Sequence, residues 1–262
     1  NKLEPSVSFS DEFLSRAQYL YEVFRVIDGI ALFINDHLNR FSQTLKLTGN
    51  QLPSHFEQLE ENIIKLIQSN HLATGNIKIV FLPEGKGNLM AYITPHQYPT
   101  THEETYGIEV SLMNAIRHNP NAKVMDTHLR ADANTIKQQQ NVYETLLVNE
   151  EGFITEGSRS NVFFIKGDEL ITPPLEQVLP GITRMNIIKL CSILSVNLSD
   201  QYVHTSGLKD MDALFISGTS RKVLPVNKVE DLLFDVNNPL LQKIRKGFDA
   251  YIENYIQSHK TH

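Results

Sequence analysis

Tyr19-Leu20-Tyr21-Glu22-Val23-Phe24-Arg25-Val26-Ile27, then Asp28-Gly29, then Ile30-Ala31-Leu32-Phe33-Ile34, is the stretch whose reading decides the fold. Two strand-forming apolar runs flank an Asp-Gly pair, and glycine accepts the positive φ that a two-residue hairpin loop requires. The stretch reads as two strands of a hairpin, with Tyr21, Val23 and Arg25 on one face by the strand period of two. Directly after it, Asn35 or Asp36 is placed to cap a helix to about Leu47, which carries His37 and Arg40 near its start.

Outward from this hairpin the chain mixes strands and helices. Ser54-x-x-Glu57 has the spacing of a capping box, and Phe56, Leu59, Ile63, Leu66 and Ile67 repeat behind it at helical spacing. Residues 77–81 and 89–93 predict a second hairpin across a Gly-rich connection. Residues 94–106, with Pro95, Pro99 and two histidines, carry neither period and are expected to link two domains. Beyond them, residues 107–113, 143–148, 161–166, 169–172, 214–217 and 222–226 read as strands. Helices are expected over about 129–140, 182–194 and 239–257. The regular strand–helix alternation of a parallel sheet is missing, so the class is α+β. Two domains are expected: a small one over residues 1–103 and a larger one over 104–262.

Composition excludes several classes. A chain of 262 residues with 41% hydrophobic content is long enough to bury a real core. Its longest apolar runs fall far short of the ~20 residues of a spanning helix, which predicts a soluble protein. A net charge of −6, with Lys243, Arg245 and Lys246 as only a short basic cluster, argues against nucleic acid as a partner. The single cysteine, Cys191, lies in an apolar helical run and reads as a core thiol. With no signal-like opening, although residue 1 is Asn, the expected compartment is the cytoplasm. Ten histidines are dispersed without metal-ligand spacing, so no metal site is expected. There is no P-loop, no GxGxxG and no GxSxG elbow.

Three short segments point to chemistry. Thr155-Glu-Gly-Ser-Arg-Ser-Asn161 puts a carboxylate and two hydroxyls at a bend entering a strand. Leu179-Pro-Gly-Ile-Thr-Arg184 joins a glycine to the first turn of a helix, whose free N–H groups and dipole suit a phosphate. Ser217-Gly-Thr-Ser220 follows a strand and offers further donors. Each also reads as an ordinary turn, helix entry or surface acid.

Together and in this order, YEVFRVIDG, HLNRF, TEGSRSNVFFI, TPP, LPGITR and LFISGTSRKVLPV resemble the class IV aminotransferases, pyridoxal-phosphate enzymes of fold type IV. That family includes D-amino-acid and branched-chain aminotransferases and aminodeoxychorismate lyases. The matching text runs from about residue 19 to 230. The resemblance implies a two-domain, D-amino-acid-aminotransferase-like fold, a homodimer, and pyridoxal 5'-phosphate held in the cleft between domains, mostly by the second. It assigns Glu156 to the ring nitrogen, where a carboxylate keeps the ring an electron sink. Arg40, Ser160, Ile182, Thr183 and Thr219 fall at the remaining cofactor-binding positions, chiefly around the phosphate. The family lysine lies about twenty residues before Tyr143-Glu144, which selects Lys123 over Lys137 and Lys166. Its following residues, Val-Met-Asp-Thr-His128, depart from the Asn-Tyr-Leu of branched-chain enzymes.

The expected reaction is amino-group exchange between an amino acid and a 2-keto acid by ping-pong kinetics, with Lys123 as general acid/base. Tyr21 holds the place of a carboxylate-binding tyrosine of D-amino-acid aminotransferases. Their Arg-x-His trap is missing, because residues 93–99 read Ile-Thr-Pro-His-Gln-Tyr-Pro. Arg25, on the same face as Tyr21, is the alternative carboxylate anchor, and Ser220 is a further substrate contact. His96 and Tyr98 read equally as entrance or loop residues, Arg159 as solvated, and Arg221 stays open. The rival functions are an aminodeoxychorismate lyase releasing pyruvate and a non-catalytic binding relative on the same scaffold.

Overall fold

The Asp28-Gly29 turn closes the first hairpin in the computed structural model, which describes residues 11, 14, 18–83 and 88–260. Strand β1 (Leu20–Ile27) pairs with β2 (Ile30–Ala31) in the register Val26 to Ala31 and Ile27 to Ile30. Asp28 and Gly29 both have positive φ, 52° and 77°, as a two-residue hairpin demands. The second strand is shorter than its apolar run. Phe33 takes a left-handed φ of 53° and becomes the N-cap of α1 (Ile34–Leu47), without a side-chain cap bond. Asn35 and Asp36, expected as caps, lie one and two residues inside the helix, so α1 starts early.

The capping box expected at Ser54 and Glu57 does not start its helix. Tight turns, from the Phe56 N–H to Pro53 and the Gln58 N–H to His55, lead into a short 3₁₀ segment, and α2 begins later (Leu59–Ser69). Strands β3 (Thr74–Leu82) and β4 (Asn88–Thr94) form the second hairpin, whose connecting residues 84–87 lie outside the described residues. The resulting antiparallel sheet has the order β2-β1-β3-β4. Alternation along it is strict. Leu20, Phe24, Val26, Ile77, Ile79 and Phe81 pack against Leu38, Phe41 and Leu45 of α1 and Ile63 and Ile67 of α2. The opposite face carries Tyr21, Val80 and Tyr92.

By internal contacts the first compact unit comprises the described residues to His96, Ala122–Thr127, and those from Tyr255 onward. The cut expected at residues 103/104 would place the segment around residue 123 with the larger domain. Backbone bonds place it instead along β1: the Tyr21 N–H donates to Lys123 (3.2 Å), and the Met125 N–H to Tyr19 (2.9 Å). They use the edge of β1 that the two-residue β2 leaves open.

The second unit comprises Gln97–Asn121 and His128–Asn254. Within the expected linker it contains a short helix, α3 (Thr101–Tyr106), begun by a full capping box between Thr100 and Glu103. Then follow β5 (Ile108–Asn114), α4 (Thr127–Gln140), β6 (Glu144–Val148), β7 (Phe153–Gly157), β8 (Asn161–Lys166) and β9 (Glu169–Thr172). After them come α5 (Ile182–Leu194), β10 (Asn197–Asp200), β11 (Val203–His204), β12 (Ala213–Gly218), β13 (Lys222–Val229), β14 (Leu232–Leu233) and α6 (Pro239–His259). The sheet order is β10-β9-β8-β12-β13-β5-β6-β7-β11, with β14 beside β13.

This sheet is mixed. β5 runs parallel to β6 and to β13, and β9 parallel to β10; the other pairs are antiparallel. Helices α4 and α5 are the crossovers that parallel neighbours require. The class is therefore α+β with two local strand–helix–strand units. At its centre Phe163 and Phe215 stack across the β8–β12 pair, ring centroids 4.9 Å apart. Cys191 is buried in α5, and burial pushes its thiol up to about 11, which suits a core residue rather than a nucleophile. Among the described residues no helix is long and apolar enough to cross a membrane.

Candidate active site

In the first unit the period of two along β1 sorts its functional side chains. Glu22 points toward α1 and is fully buried, where it meets His37 and Arg40. The two helix residues lie three apart and so share a face. Arg40 donates from Nε (2.7 Å) and Nη2 (2.7 Å) to the two Glu22 oxygens, and His37 Nδ1 lies 2.8 Å from Oε2. Burial alone would raise the Glu22 pKa, yet the Arg40 charge and its hydrogen bonds, with those of His37, hold it down to about 2. Burial lowers the His37 pKa, so the imidazole is neutral and donates its Nδ1 proton to Glu22.

On the other face of β1 lie Tyr21, Val23 and Arg25. Lys123 comes to the same strand, its Nζ 4.7 Å from the Tyr21 ring centroid and its N–H bonded to the Thr44 hydroxyl (3.1 Å). Lys78 of β3 stands opposite Val23 and Tyr92, and its Nζ donates to the Tyr19 hydroxyl at 3.1 Å. The first unit thus gathers Lys123, Tyr21 and Arg25 along one face, while Arg40 is committed in part to Glu22.

In the second unit Glu156 lies within β7, a strand that Phe-Ile-Thr-Glu-Gly did not announce, and it is buried. Its Oε1 accepts from Arg117 Nε at 2.6 Å and its Oε2 from the Leu179 N–H at 3.0 Å, so the carboxylate is oriented before any ligand arrives. Arg117 also donates to the Ser158 carbonyl (3.1 Å). Asn161 Nδ2 donates to the Leu179 carbonyl (2.9 Å), drawing the Leu179–Gly181 segment against the start of β8. Gly181 is required there, because a Cβ would fall 2.0 Å from Asn161 Oδ1.

Gly181 is also the N-cap of α5 and supplies no side-chain cap. The first-turn N–H groups, those of Ile182 and Thr183 among them, have no intrahelical acceptor, and both residues are buried. Thr219 and Ser220 occupy the tight turn between β12 and β13, closed by the Arg221 N–H to the Gly218 carbonyl (3.1 Å). Just before it, the Ser217 hydroxyl is buried without a hydrogen-bond partner. Ser160 turns its hydroxyl toward Glu144 at 3.4 Å. An oriented carboxylate, a buried uncapped helix start and an orphan hydroxyl fit a group with a basic ring nitrogen at one end and a phosphate dianion at the other.

Arg117 escaped the sequence reading, since nothing local marks an arginine 39 residues from Glu156 as its partner. Glu22 escaped because a strand acid in an apolar run reads as an exposed residue. Glu144 carried one signal, its place at the head of a strand that is otherwise uncharged and wholly buried. Among the described residues no three His, Cys, Asp or Glu side chains gather as a metal site would.

Comparison with known proteins places this geometry in context. The family model described as amino-transferase class IV matches residues 19–229. A D-alanine aminotransferase of Staphylococcus aureus strain N315 is 27% identical over 96% of this chain and 94% of its own length. A T.th. branched-chain amino acid aminotransferase, solved with pyridoxamine 5'-phosphate, superposes with a TM-score of 0.86 at 20% identity, over 96% of this chain and 92% of that one. A Legionella pneumophila protein provisionally assigned as a 4-amino-4-deoxychorismate lyase gives 0.81 at 23% identity, over 97% and 96%. These two structural likenesses establish the fold, which is that of the fold-type IV aminotransferases.

Proposed function

Since the chain belongs to the class IV aminotransferase family, we propose that it transfers an amino group between an amino acid and a 2-keto acid with pyridoxal 5'-phosphate as cofactor. The observation that carries this reading is Glu156, buried and fixed by Arg117 and the Leu179 N–H in the strand and loop that lead to the uncapped start of α5. When bound, pyridoxal phosphate supplies the electron sink and carries the amino group between two half-reactions, which makes the kinetics ping-pong. Glu156 holds the proton of the ring nitrogen. Ile182, Thr183, Thr219 and Arg40 are the proposed donors to the phosphate and its surroundings, with Ser160, whose hydroxyl donates to Glu144, as a further cofactor-binding residue.

Lys123 is the proposed catalytic lysine. With the cofactor bound, its amine would hold that group and would serve as general acid/base for the proton at the substrate Cα. Its position over the Tyr21 ring restricts the path of the amine. Arg25, with Tyr21 and Ser220, is the proposed anchor of the substrate carboxylate, because a guanidinium fork matches a planar anion. The reading extends to a cytoplasmic homodimer.

The test is spectroscopic. The purified protein should show the visible absorbance of a lysine-bound cofactor, lost in Lys123→Ala. Single amino acids should then convert wild type to the aminated cofactor spectrum, for substrates of one hand. A second reading, a lyase releasing pyruvate from aminodeoxychorismate, draws on Arg25, which a lyase of that type tolerates at this place on β1, and on the Legionella neighbour. Pyruvate release without amino-acid conversion would establish that reading, and a colourless protein inert to both would point to a non-catalytic relative.

A further inference from the structure

We infer that Arg221 and Glu144 are positioning residues that lock together the two turns bearing the proposed cofactor and substrate hydroxyls, so that pyridoxal 5'-phosphate meets a preformed cradle. The inference rests on the cofactor reading above. Its starting point is topological. β12 and β8 are adjacent, and Ser217 pairs directly with Asn161. The turn after Gly157, which carries Ser160, and the turn after Gly218, which carries Thr219 and Ser220, therefore lie side by side at one end of two neighbouring strands. Backbone pairing between them stops at Ser217 and Asn161, and beyond that point a side-chain contact crosses from one turn to the other.

Arg221 spans that gap. Its Nη1 lies 3.4 Å from the Arg159 carbonyl in the opposite turn, 62 residues away in sequence. Its Nη2 lies 3.3 Å from Glu144 Oε2, with the guanidinium over the Tyr143 ring at 5.5 Å. The arginine side chain is 15% exposed and that of Glu144 is 0% exposed. Glu144 binds the other turn as well, accepting from the Ser158 hydroxyl (2.5 Å) and the Ser160 hydroxyl (3.4 Å). One buried carboxylate thus holds both turns. That turn has no slack, since the Gly157 N–H already donates to the Ser160 carbonyl at 2.7 Å.

Stability alone does not explain this arrangement. A buried ion pair gains little over well-packed apolar residues, and holding a register is its better-attested use. The fork of an arginine reaches two acceptors at fixed geometry, whereas a lysine in its place offers a point charge on a flexible stem without that fork. Donors placed an ångström off lose most of their value to a bound ligand.

The experiment compares full-length wild type, Arg221→Lys, Arg221→Met, Glu144→Gln and the Glu144→Gln/Arg221→Met double variant, each stripped of cofactor. Melting of the stripped protein, calorimetric affinity for pyridoxal 5'-phosphate and visible circular dichroism of the reloaded protein are read together. Arg221→Lys should melt close to wild type yet bind the cofactor at least tenfold more weakly with a reduced dichroic band. The double variant, which leaves no buried unpaired charge, should melt higher than Arg221→Met but still bind weakly. If Arg221→Met does not fold, those two variants carry the test. Wild-type affinity and dichroism in Arg221→Lys, or affinity that tracks melting across the series, overturns the inference alone. Absence of cofactor binding by wild type overturns the cofactor reading and the inference with it.

Discussion

Glu22 sits one residue out of phase with Tyr21, and the pleat sends it to the buried side of β1 with Arg40 and His37. This triad should govern acid stability. The Glu22 pKa is held to about 2 in the folded chain against an ordinary 4.5. Its stabilisation is therefore complete above pH 4.5 and is lost as pH falls toward 2. The His37 pKa is lowered from 6.5, so the unfolded chain takes up its proton first and stability also falls below that value. Urea midpoints should decline in two stages as pH drops, and His37→Gln should flatten the first stage; an unchanged slope between about pH 7 and 5 would refute the assignment. Glu22→Gln leaves the Arg40 charge buried and should cost about 3–5 kcal/mol in denaturant unfolding near neutral pH. At this scale Arg40 and Glu156 were singled out by the motifs that contain them, and Lys123 by its distance from Tyr143-Glu144 in the resembling family. Arg117, Glu22 and the commitment of Arg221 were not, since a partner 39 or 62 residues away leaves no local trace.

Among the elements, the start of α5 concentrates the most chemistry. Gly181 approaches Asn161 so closely that Gly181→Ala should displace the amide that anchors Leu179, at about 1–3 kcal/mol for the added methyl. Thermal melting and cofactor titration should both register it, the titration more strongly, because the same shift moves the Ile182 and Thr183 N–H groups. A smaller effect belongs to α3: Thr100→Ala removes the hydroxyl that accepts from the Glu103 N–H, while the residue 100 N–H keeps its bond to the Glu103 carboxylate, and should cost about 1 kcal/mol locally. Faster hydrogen exchange at the Glu104 and Gly107 amides, with little change in global melting, is the expected signature. The hairpin and most helices were readable from periodicity, yet α1 began before its polar cap residues, because Phe33 adopts a left-handed turn with its ring 4.7 Å from that of Tyr255. Packing on Tyr255 outweighs the roughly 1–2 kcal/mol that this conformation costs a non-glycine residue.

For the whole molecule the consequence is linkage. A cofactor that binds only the folded chain stabilises it by about 2.7 kcal/mol at a hundredfold excess over its dissociation constant. Stripped protein should melt lower, with the melting temperature rising with the logarithm of added pyridoxal phosphate; no response at saturating concentrations would count against the proposed function. Composition, strand and helix periods and a handful of short motifs sufficed to determine the α+β class, the family and the residues to examine, because those signals act over a few neighbouring positions. Which unit holds the Lys123 segment, what orients Glu156, and how Glu144 and Arg221 tie two distant turns together were decided only by the tertiary structure. Buried charges select partners by proximity in space and by the cost of leaving any one of them unpaired, and neither is written in local sequence.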